Sequence, residues 1–312
     1  MVHGPSGETG TTLRSNGDQS GSAGERCVSF FVNLQRVLPQ HLLSRTVGLL
    51  ASSRVPFISA PFIRLFARCY AVNMAESDRS DLGNYASFND FFTRTLRPGA
   101  RPFPADSRSL LCPADGVISQ VGRIENGTLL QAKGIRYSFA ALACEAATAE
   151  FKGGEFEGGQ FLTVYLAPRD YHRVHLPIAG ELRQSVAIPG ALFSVNGHTE
   201  GEIEGLFCRN ERLVMSFGTE VGRMLVIMVG AMIVASIETA WPGPRSPYRQ
   251  KIVREHRIGF ARGDEVGRFL LGSTVILAFE RDAVRLEDKL IAGRPVRMGE
   301  TIAQPLVTRL HR

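Results

Sequence analysis

The chain has 312 residues, of which 44% are hydrophobic and 21% charged, and its 36 Lys and Arg against 30 Asp and Glu give a net charge of +6. This length corresponds to one large or two small domains, and the composition excludes wholesale disorder and collagen-like or low-complexity architectures. The longest uncharged apolar run, residues 224–237, is shorter than the roughly 20 residues of a membrane-spanning helix, so a polytopic membrane protein is not expected. We interpret that run as two buried strands around Gly230. The five cysteines form no CxxC pair, which favours a reducing compartment over a disulfide framework or a cysteine zinc site.

Residues 1–26 are rich in Gly and Ser and nearly devoid of large apolar side chains. They lack the apolar core of a secretory signal, and their acidic residues fit an Arg-rich transit peptide poorly. This composition predicts a disordered tail.

The stretch 27–70 contains five arginines and no acidic residue. Its apolar residues recur at helical spacing, and Pro39, Pro56 and Pro61 are expected to divide it into about three short helices. Amphipathic helices that carry only positive charge suit the surface of an anionic bilayer. A helical cap that packs on the rest of the protein is the alternative. Nucleic acid is a weaker interpretation, because the aromatic residues lie among the aliphatic ones and not among the charges.

The segment after residue 84 begins with a short helix, predicted from Ser87 to the Arg97-Pro98-Gly99 stop. From about residue 109 the pattern changes to short β-type runs separated by Gly and Pro, without a long helical period or a repeat. The sequence therefore predicts an α+β protein in which N-terminal amphipathic helices precede a mostly antiparallel β core. We expect a disordered tail over 1–26, a helical membrane-associating region over 27–104 and a β-rich catalytic core over 105–312. The predicted strands are 116–121, 160–166, 183–188, 212–217 and 275–279.

Three segments carry candidate chemistry. The first holds His172 and His175, three residues apart; metal binding is the weaker interpretation there, because no HExxH pattern and no Cys or carboxylate cluster accompanies them. In an extended chain the two rings point to opposite faces, which gives them different roles. The second is Asp115-Gly116, by itself a turn signal. The third is the step Gly272-Ser273 between two apolar runs, by itself a bulge or tight bend.

Taken together, the segments of the chain resemble the phosphatidylserine decarboxylases of the bacterial and mitochondrial type, whose processing motif reads Leu-Gly-Ser-Thr. The resemblance runs from about Val28 to Ile276 and leaves the Gly/Ser-rich tail outside it. The matching segments are SFNDFFTRTLRPGARP (87–102), CPADGVISQVG (112–122), LQAKG (130–134), YLAPRDYHRVHLPIAG (165–180), PGALFSVN (189–196), LFCRNER (206–212), VGAMIVASIETAWPG (229–243) and GRFLLGSTVI (267–276).

The resemblance implies self-cleavage between Gly272 and Ser273 into a large chain, 1–272, and a small chain, 273–312. It implies that Ser273 attacks the preceding carbonyl and becomes a covalent pyruvoyl group, so that no pyridoxal phosphate is required. By the same resemblance His175 is the base for this step and Asp115 orients it, which gives a triad of Asp115, His175 and Ser273 that acts once. His172 is then the candidate that contacts the substrate carboxylate and delivers the proton. No metal ligand is implied.

The implied reaction is decarboxylation of phosphatidylserine to phosphatidylethanolamine and CO2, through a Schiff base with the pyruvoyl group, in phospholipid biosynthesis. The implied partners are phosphatidylserine and an anionic membrane surface, with a peripheral location on the cytoplasmic face of the cell (inner) membrane; dimerisation is an expectation at the level of the family. Three alternatives stay open: a pyruvoyl-dependent decarboxylase of a soluble amino acid such as aspartate, a serine hydrolase that uses Asp115, His175 and Ser273, and a non-enzymatic membrane-binding β module. A soluble substrate would not need the 27–70 segment.

Overall fold

A computed structural model describes residues 40–131, 134–144, 153–195, 197–231, 237–270 and 273–306. All of them belong to one compact unit, Leu38–Arg312. The predicted tail and the first part of the 27–70 segment lie outside the described residues. The predicted boundary at 104/105 falls between the last helix of the N-terminal region, which ends at Phe92, and the first strand, which begins at Leu110.

Two helices of the predicted basic segment are present, and they form a bent pair. Pro56 occupies the first turn of the second helix, where its missing N–H is not needed. The prediction that Pro61 also breaks the chain is wrong, because Pro61 lies inside that helix. Proline at this position removes only the donor for the carbonyl of Phe57, and Phe57 is 91% exposed, so water can satisfy that carbonyl. The helices are α1 Gln40–Ser52, α2 Pro56–Cys69, α3 Phe88–Phe92, α4 Phe139–Ala143, α5 Gly197–Glu200 and α6 Leu206–Arg209, with 3-10 turns at Leu82–Asn84 and Gly153–Glu155.

Helix α3 begins at the predicted cap, where the Ser87 hydroxyl accepts a hydrogen bond from the N–H of Asp90. It ends at Phe92, earlier than the predicted stop at residue 97. The chain leaves the helix at Thr93, and the next residue, Arg94, is buried and bonded to the β core.

The β strands of the described residues are β1 Leu110–Leu111, β2 Gly116–Arg123, β3 Thr128–Leu130, β4 Arg136–Ser138, β5 Gln160–Leu166, β6 Arg173–His175, β7 Gly180–Ile188, β8 Arg212–Thr219, β9 Gly222–Val229, β10 Ile237–Thr239, β11 Ile252–Phe260, β12 Glu265–Phe269, β13 Ser273–Phe279, β14 Val284–Leu286, β15 Pro295–Val296 and β16 Thr301–Pro305. Eight of them form an antiparallel sheet at the centre of the protein, in the order β11-β7-β8-β9-β13-β5-β2-β15. Three smaller antiparallel sheets accompany it, with orders β1-β16-β14, β10-β12-β6 and β3-β4. The predicted antiparallel β core is thereby confirmed.

The central strands β8 and β13 are buried along their whole length. Strands covered on both faces read as continuous apolar runs, which explains why the sequence locates them well. The run 224–237 supplies the end of β9 and the start of β10, and residues 232–236 between them lie outside the described part of the chain.

The helical region has its own small core of aromatic residues, in which Phe66 of α2 packs against Phe88 and Phe92 of α3. Its outer surface is different. Seven of the eleven exposed large hydrophobic side chains of the described residues lie on α1 or α2, between them or directly after α2: Leu49, Leu50, Val55, Phe57, Ile58, Leu65 and Tyr70. The helix pair therefore buries one apolar face and leaves another exposed. In the part of the chain described, no single helix is long and apolar enough to cross a bilayer. The helical segments Thr46–Ser52 and Pro56–Cys69 have the required length and hydropathy only when they are taken together, and the pair is bent by 103°.

Candidate active site

Ser273 is the first residue of β13 and is fully buried. Its Oγ has no hydrogen-bond partner among the described residues. A buried hydroxyl without a partner costs on the order of 1–3 kcal/mol, so this is an unusual position for a purely structural serine. Gly272, on the other side of the predicted cleavage bond, lies outside the described residues.

The side chain of Ser273 lies on the face of β13 that packs on the main hydrophobic cluster. Successive side chains of a strand alternate between faces, so Ser273 shares its face with Val275 and Leu277. Those two residues belong to the same hydrophobic cluster as Val174 and Leu176, the neighbours of His175. The fold therefore places the serine and the histidine segment on the same side of the large sheet.

His172 is fully buried and packs against Phe92 of α3, with ring centroids 4.0 Å apart. Its Nδ1 lies 2.9 Å from the carbonyl oxygen of Asp170, and because a carbonyl can only accept, Nδ1 carries the hydrogen. Nε2 is then the basic nitrogen, and it has no partner among the described residues. Burial lowers the pKa of His172 to about 3, so the ring is neutral.

His175 is the last residue of β6, and both of its ring nitrogens are occupied. Nδ1 donates to the carbonyl oxygen of Gly263 at 2.7 Å, which leaves Nε2 as the acceptor. Nε2 accepts a hydrogen bond from the hydroxyl of Tyr171 at 2.9 Å, and the two rings stack. Burial lowers the pKa of His175, although the bond to Gly263 and the negative charges of Glu265 and Asp115 oppose the shift.

Gly263 holds its carbonyl in place through a backbone conformation that favours glycine. Its φ is +86°, and a Cβ at this position would collide with the ring of Phe103. Its N–H donates to the carbonyl of Leu176, so the turn is fixed to the residue that follows His175. A larger residue at 263 would displace the acceptor that sets the tautomer of His175.

The main chain just before Asp115 is bonded to His175, but the side chain of Asp115 bonds to other groups. The N–H of His175 donates to the carbonyl of Pro113 at 2.8 Å, which ties β6 to the segment before Asp115. The carboxylate of Asp115 accepts from Arg101 at 2.7 Å and from the N–H of Met298 at 2.8 Å. Arg101 also pairs with Glu76 at 2.8 Å. Among the described residues, the partners of the Asp115 carboxylate are Arg101 and Met298, and the acceptor for Nδ1 of His175 is Gly263. The orienting role that the resemblance implies for Asp115 stays a prediction.

The structure explains why residue 116, next to Asp115, is a glycine. A Cβ at Gly116 would collide with the carbonyl oxygen of Tyr165 and touch Val164, so only glycine lets β2 approach β5 this closely. The pair is more than a turn, since it brings Asp115 to the end of β5 at which Ser273 pairs with Leu166.

Strand β12 connects the histidines to the serine. The N–H of Phe269 donates to the carbonyl of His172 at 2.9 Å, and Glu265 pairs in register with His175. Four residues after Phe269 the chain re-enters the large sheet at Ser273. The structure thus gathers all four described candidates, Asp115, His172, His175 and Ser273, at the ends of adjoining strands.

Sequence reasoning did not single out Tyr171, Gly263, Arg94 or Arg101. Tyr171 lies within the quoted histidine segment and Arg101 within the segment 87–102, so the resemblance contained both without indicating their contacts. The contribution of Gly263 is a backbone carbonyl, which has no signature in a sequence. In the described part of the chain, no group of three or more His, Cys, Asp or Glu side chains is arranged to hold a metal ion.

Comparison with known proteins finds related sequences over most of the chain. The family model for phosphatidylserine decarboxylase matches residues 88–304, and a shorter model described as PSD matches residues 30–71. The phosphatidylserine decarboxylase proenzyme of Pseudomonas aeruginosa (strain LESB58) is 49% identical over 284 residues, which cover 88% of this chain and 96% of the relative. The proenzymes of Pseudomonas putida (strain GB-1) and Saccharophagus degradans are 47% and 46% identical, over 88% of this chain and 98% and 96% of their own.

The fold and the site define a β-rich protein with a buried serine, a buried histidine and a half-buried histidine at neighbouring strand ends. With a family match over more than half of its length and relatives of this similarity, the chain belongs to the phosphatidylserine decarboxylase family.

Proposed function

We propose that this chain is a proenzyme that cleaves itself between Gly272 and Ser273 and then decarboxylates phosphatidylserine to phosphatidylethanolamine in phospholipid biosynthesis. Family membership supports the reaction. The observation that supports the site is Ser273, a fully buried serine at the start of a strand, whose hydroxyl has no hydrogen-bond partner among the described residues.

Self-cleavage uses groups of this chain and one water molecule. Oγ of Ser273 attacks the carbonyl carbon of Gly272 while the base takes the hydroxyl proton; the C–N bond breaks, the nitrogen is protonated and an ester forms. Loss of the α-proton of Ser273 then expels the Gly272 carboxylate and leaves dehydroalanine, and one water converts this to the pyruvoyl group and ammonia. The residue fits this fate, because the reaction removes a buried hydroxyl that has no hydrogen-bond partner among the described residues.

His175 is the proposed base for ester formation. The bond from Nδ1 to Gly263 gives the tautomer whose lone pair lies on Nε2, and the lowered pKa keeps that nitrogen unprotonated near neutral pH. Tyr171 must release Nε2 before His175 can take a proton from another group. Asp115 contributes through its negative charge, which stabilises the imidazolium that forms.

His172 is the proposed residue for the decarboxylation itself. The pyruvoyl group at position 273, when formed, supplies a carbonyl that accepts the electron pair of the breaking carbon–carbon bond. His172 is fully buried, and its Nε2 has no hydrogen-bond partner among the described residues. An entering carboxylate favours the charged ring and raises its pKa, so the ring can take up a proton released by the substrate ammonium group and donate it after CO2 leaves.

The proposed location is the cytoplasmic face of the inner membrane, with the outer face of α1 and α2 in the lipid headgroup region. Phe57 and Leu65 project from this face, and Arg54, Arg64 and Arg68 are exposed beside them. Each basic residue near an anionic lipid surface contributes about 1 kcal/mol, and burial of the apolar side chains adds to this. Such contact lets the enzyme take a lipid substrate from the bilayer without spanning it.

A substrate comparison tests the proposed function. Purified protein is incubated with phosphatidylserine in mixed micelles, with free serine and with free aspartate, and released CO2 is measured. We expect CO2 from the lipid alone. Release from aspartate instead would show a soluble amino acid decarboxylase, and lipid hydrolysis without CO2 would show a serine hydrolase.

A further inference from the structure

A cavity of about 220 Å³ lies where the chain leaves α2 and meets the β2–β15 edge of the large sheet. It is bounded on one side by Ala71 and Asn73, just after α2, and on another by Asp115 and Tyr171 of the candidate site. Four guanidinium groups line it: Arg94, Arg101, Arg169 and Arg297. We call it the arginine cavity.

Two of these arginines already have carboxylate partners. Arg101 lies between Glu76 and Asp115 at 2.8 and 2.7 Å, and Arg297 bonds to Glu76 at 3.1 Å. Their charge is largely balanced within the protein. They form the wall of the cavity and are not free to bind a ligand.

Arg94 is different. It is only 4% exposed, its Nη2 donates to the carbonyl oxygens of Arg169 and Asp170 at 3.1 and 3.3 Å, and its Nη1 has no partner among the described residues. A buried guanidinium bonded only to neutral carbonyl groups retains its positive charge and an unused donor. Arg169 adds a second charge; its side chain is 65% exposed, and its nearest carboxylate, on Asp170, is 3.9 Å away.

We propose that the arginine cavity binds the phosphodiester of the phospholipid substrate, with Arg94 as the buried donor and Arg169 as the exposed one. This inference rests on the proposed function, since it adds a head-group subsite to the same active site. Guanidinium groups suit this ligand because their planar, forked donors match the oxygen atoms of a phosphate.

The position of the cavity fits a lipid whose reacting carbon lies at Ser273. The carbonyl oxygen of Asp170 accepts from Arg94 at 3.3 Å and from His172 at 2.9 Å, so the proposed phosphate ligand and the proposed proton donor are adjacent. On the other side, the exposed face of α2 follows Phe57, Pro61 and Leu65 along the helix towards Tyr70, next to the cavity. A lipid that leaves the membrane along this face meets the arginine cavity first.

The phosphate is a better ligand for these charges than the substrate carboxylate. The carboxylate must lose its charge as CO2 departs, so strong ion pairs to it would stabilise the substrate over the transition state and slow the reaction. The phosphodiester is unchanged from substrate to product. Binding it costs nothing in the chemical step and supplies affinity that can hold the reacting end in place.

Kinetics with dihexanoylphosphatidylserine below its micelle concentration test this, because a soluble substrate removes the contribution of the membrane. For Arg94→Gln we expect KM to rise roughly 10- to 100-fold with kcat little changed, as for a lost hydrogen bond to a charged group that is equally strong in substrate and transition state. Arg94→Lys should recover part of the loss. Arg169→Gln, at an exposed position that leaves the fold intact, should raise KM in the same direction by a smaller factor.

Arg183→Gln is the matched control, because Arg183 is a half-exposed arginine on β7, near the opposite edge of the sheet. Its KM should equal that of the wild type. Unchanged KM in both Arg94→Gln and Arg169→Gln would overturn the subsite, as would an equal rise in Arg183→Gln. If Arg94→Gln does not fold, Arg169→Gln alone decides.

A binding measurement separates failure of the subsite from failure of the proposed function. Calorimetric titration with glycerol 3-phosphate needs no turnover, and we expect binding to the wild type that weakens in both cavity variants and is absent for glycerol. A wild type that binds glycerol 3-phosphate in this way without decarboxylating the lipid would refute the function and keep the anion site. A wild type that decarboxylates the lipid while glycerol 3-phosphate neither binds nor competes would refute the subsite.

Discussion

Tyr171 donates a hydrogen bond to Nε2 of His175 at 2.9 Å and stacks on the same imidazole. Burial holds the pKa of the Tyr171 phenol above its usual range, so the hydroxyl keeps its proton and remains a donor. The nitrogen that is proposed to activate Ser273 is therefore occupied, and its release is a step that must precede self-cleavage.

Tyr171→Phe tests this relationship. Phenylalanine keeps the stacked ring and frees the lone pair of Nε2, so we expect self-cleavage at least as fast as in the wild type, measured as the appearance of two bands after synthesis in a cell-free system. Tyr248→Phe serves as the control, because it removes another buried hydroxyl, one with no hydrogen-bond partner among the described residues. Loss of cleavage in Tyr171→Phe alone would contradict a blocking role and indicate that the hydroxyl relays the proton.

Substitution of His175 and substitution of His172 should impair different steps, self-cleavage and decarboxylation respectively. His175→Ala should remain uncleaved, because an unassisted serine hydroxyl is a weak nucleophile near neutral pH. His172→Ala should still cleave and form the pyruvoyl group, while decarboxylation falls by the roughly 10²- to 10⁴-fold that a lost proton-transfer group costs. A denaturing gel and a CO2 assay measure the two effects. Cleavage of His175→Ala together with full activity of His172→Ala would contradict both assignments.

The buried neutral ring of His172 should make the fold sensitive to acid. The folded pKa of His172, about 3, lies below the ordinary value of 6.5, so the unfolded chain binds a proton that the folded chain does not. The contribution of neutral His172 to the free energy of unfolding is complete above pH 6.5. It falls by about 1.4 kcal/mol per pH unit as the pH decreases from 6.5 towards 3. Urea unfolding of the uncleaved Ser273→Ala chain between pH 7 and 5 should show this slope, and His172→Phe should reduce it. An equal slope in both chains would contradict the buried neutral state.

The α1–α2 face should bind anionic vesicles, and added salt should weaken the binding by screening the arginines. Replacing both Arg64 and Arg68 by Glu should weaken it at least about tenfold, because each basic residue contributes about 1 kcal/mol near anionic lipid. The double exchange of Arg183 and Arg257 to Glu is the control, since both residues lie on the large sheet, outside α1 and α2. Vesicle sedimentation measures the effect. Equal loss in the two double variants would show that net charge, and not this face, attracts the membrane.

The strands could be predicted closely where a physical pattern is strong. The predicted strand 160–166 coincides with β5, and β8 and β13 are each only two residues longer than predicted. The agreement is close because strands buried on both faces are continuous apolar runs. The prediction that Pro61 breaks the helix was wrong, because the free-energy cost of a proline inside a helix depends on whether the carbonyl that loses its donor reaches water. That carbonyl belongs to Phe57, and the exposure of Phe57 depends on the tertiary structure.

The site could be predicted by residue type but not by contact. Asp115, His172, His175 and Ser273 came from the resemblance, and the structure brings them to adjoining strand ends. The ion pair between Asp115 and Arg101 could not be predicted from the sequence. It depends on the fold, which places Arg101 between Glu76 and Asp115. The group that sets the tautomer of His175 is the main chain of residue 263, which any amino acid provides and only the fold positions.

The intact mass of the purified wild-type protein, made without other enzymes, tests self-processing at Ser273 most directly. We expect two chains, 1–272 and 273–312, with the smaller one blocked at its N-terminus by the pyruvoyl group, and a single uncleaved chain for Ser273→Ala. A wild-type protein that remains one chain of 312 residues and still decarboxylates phosphatidylserine would contradict the account.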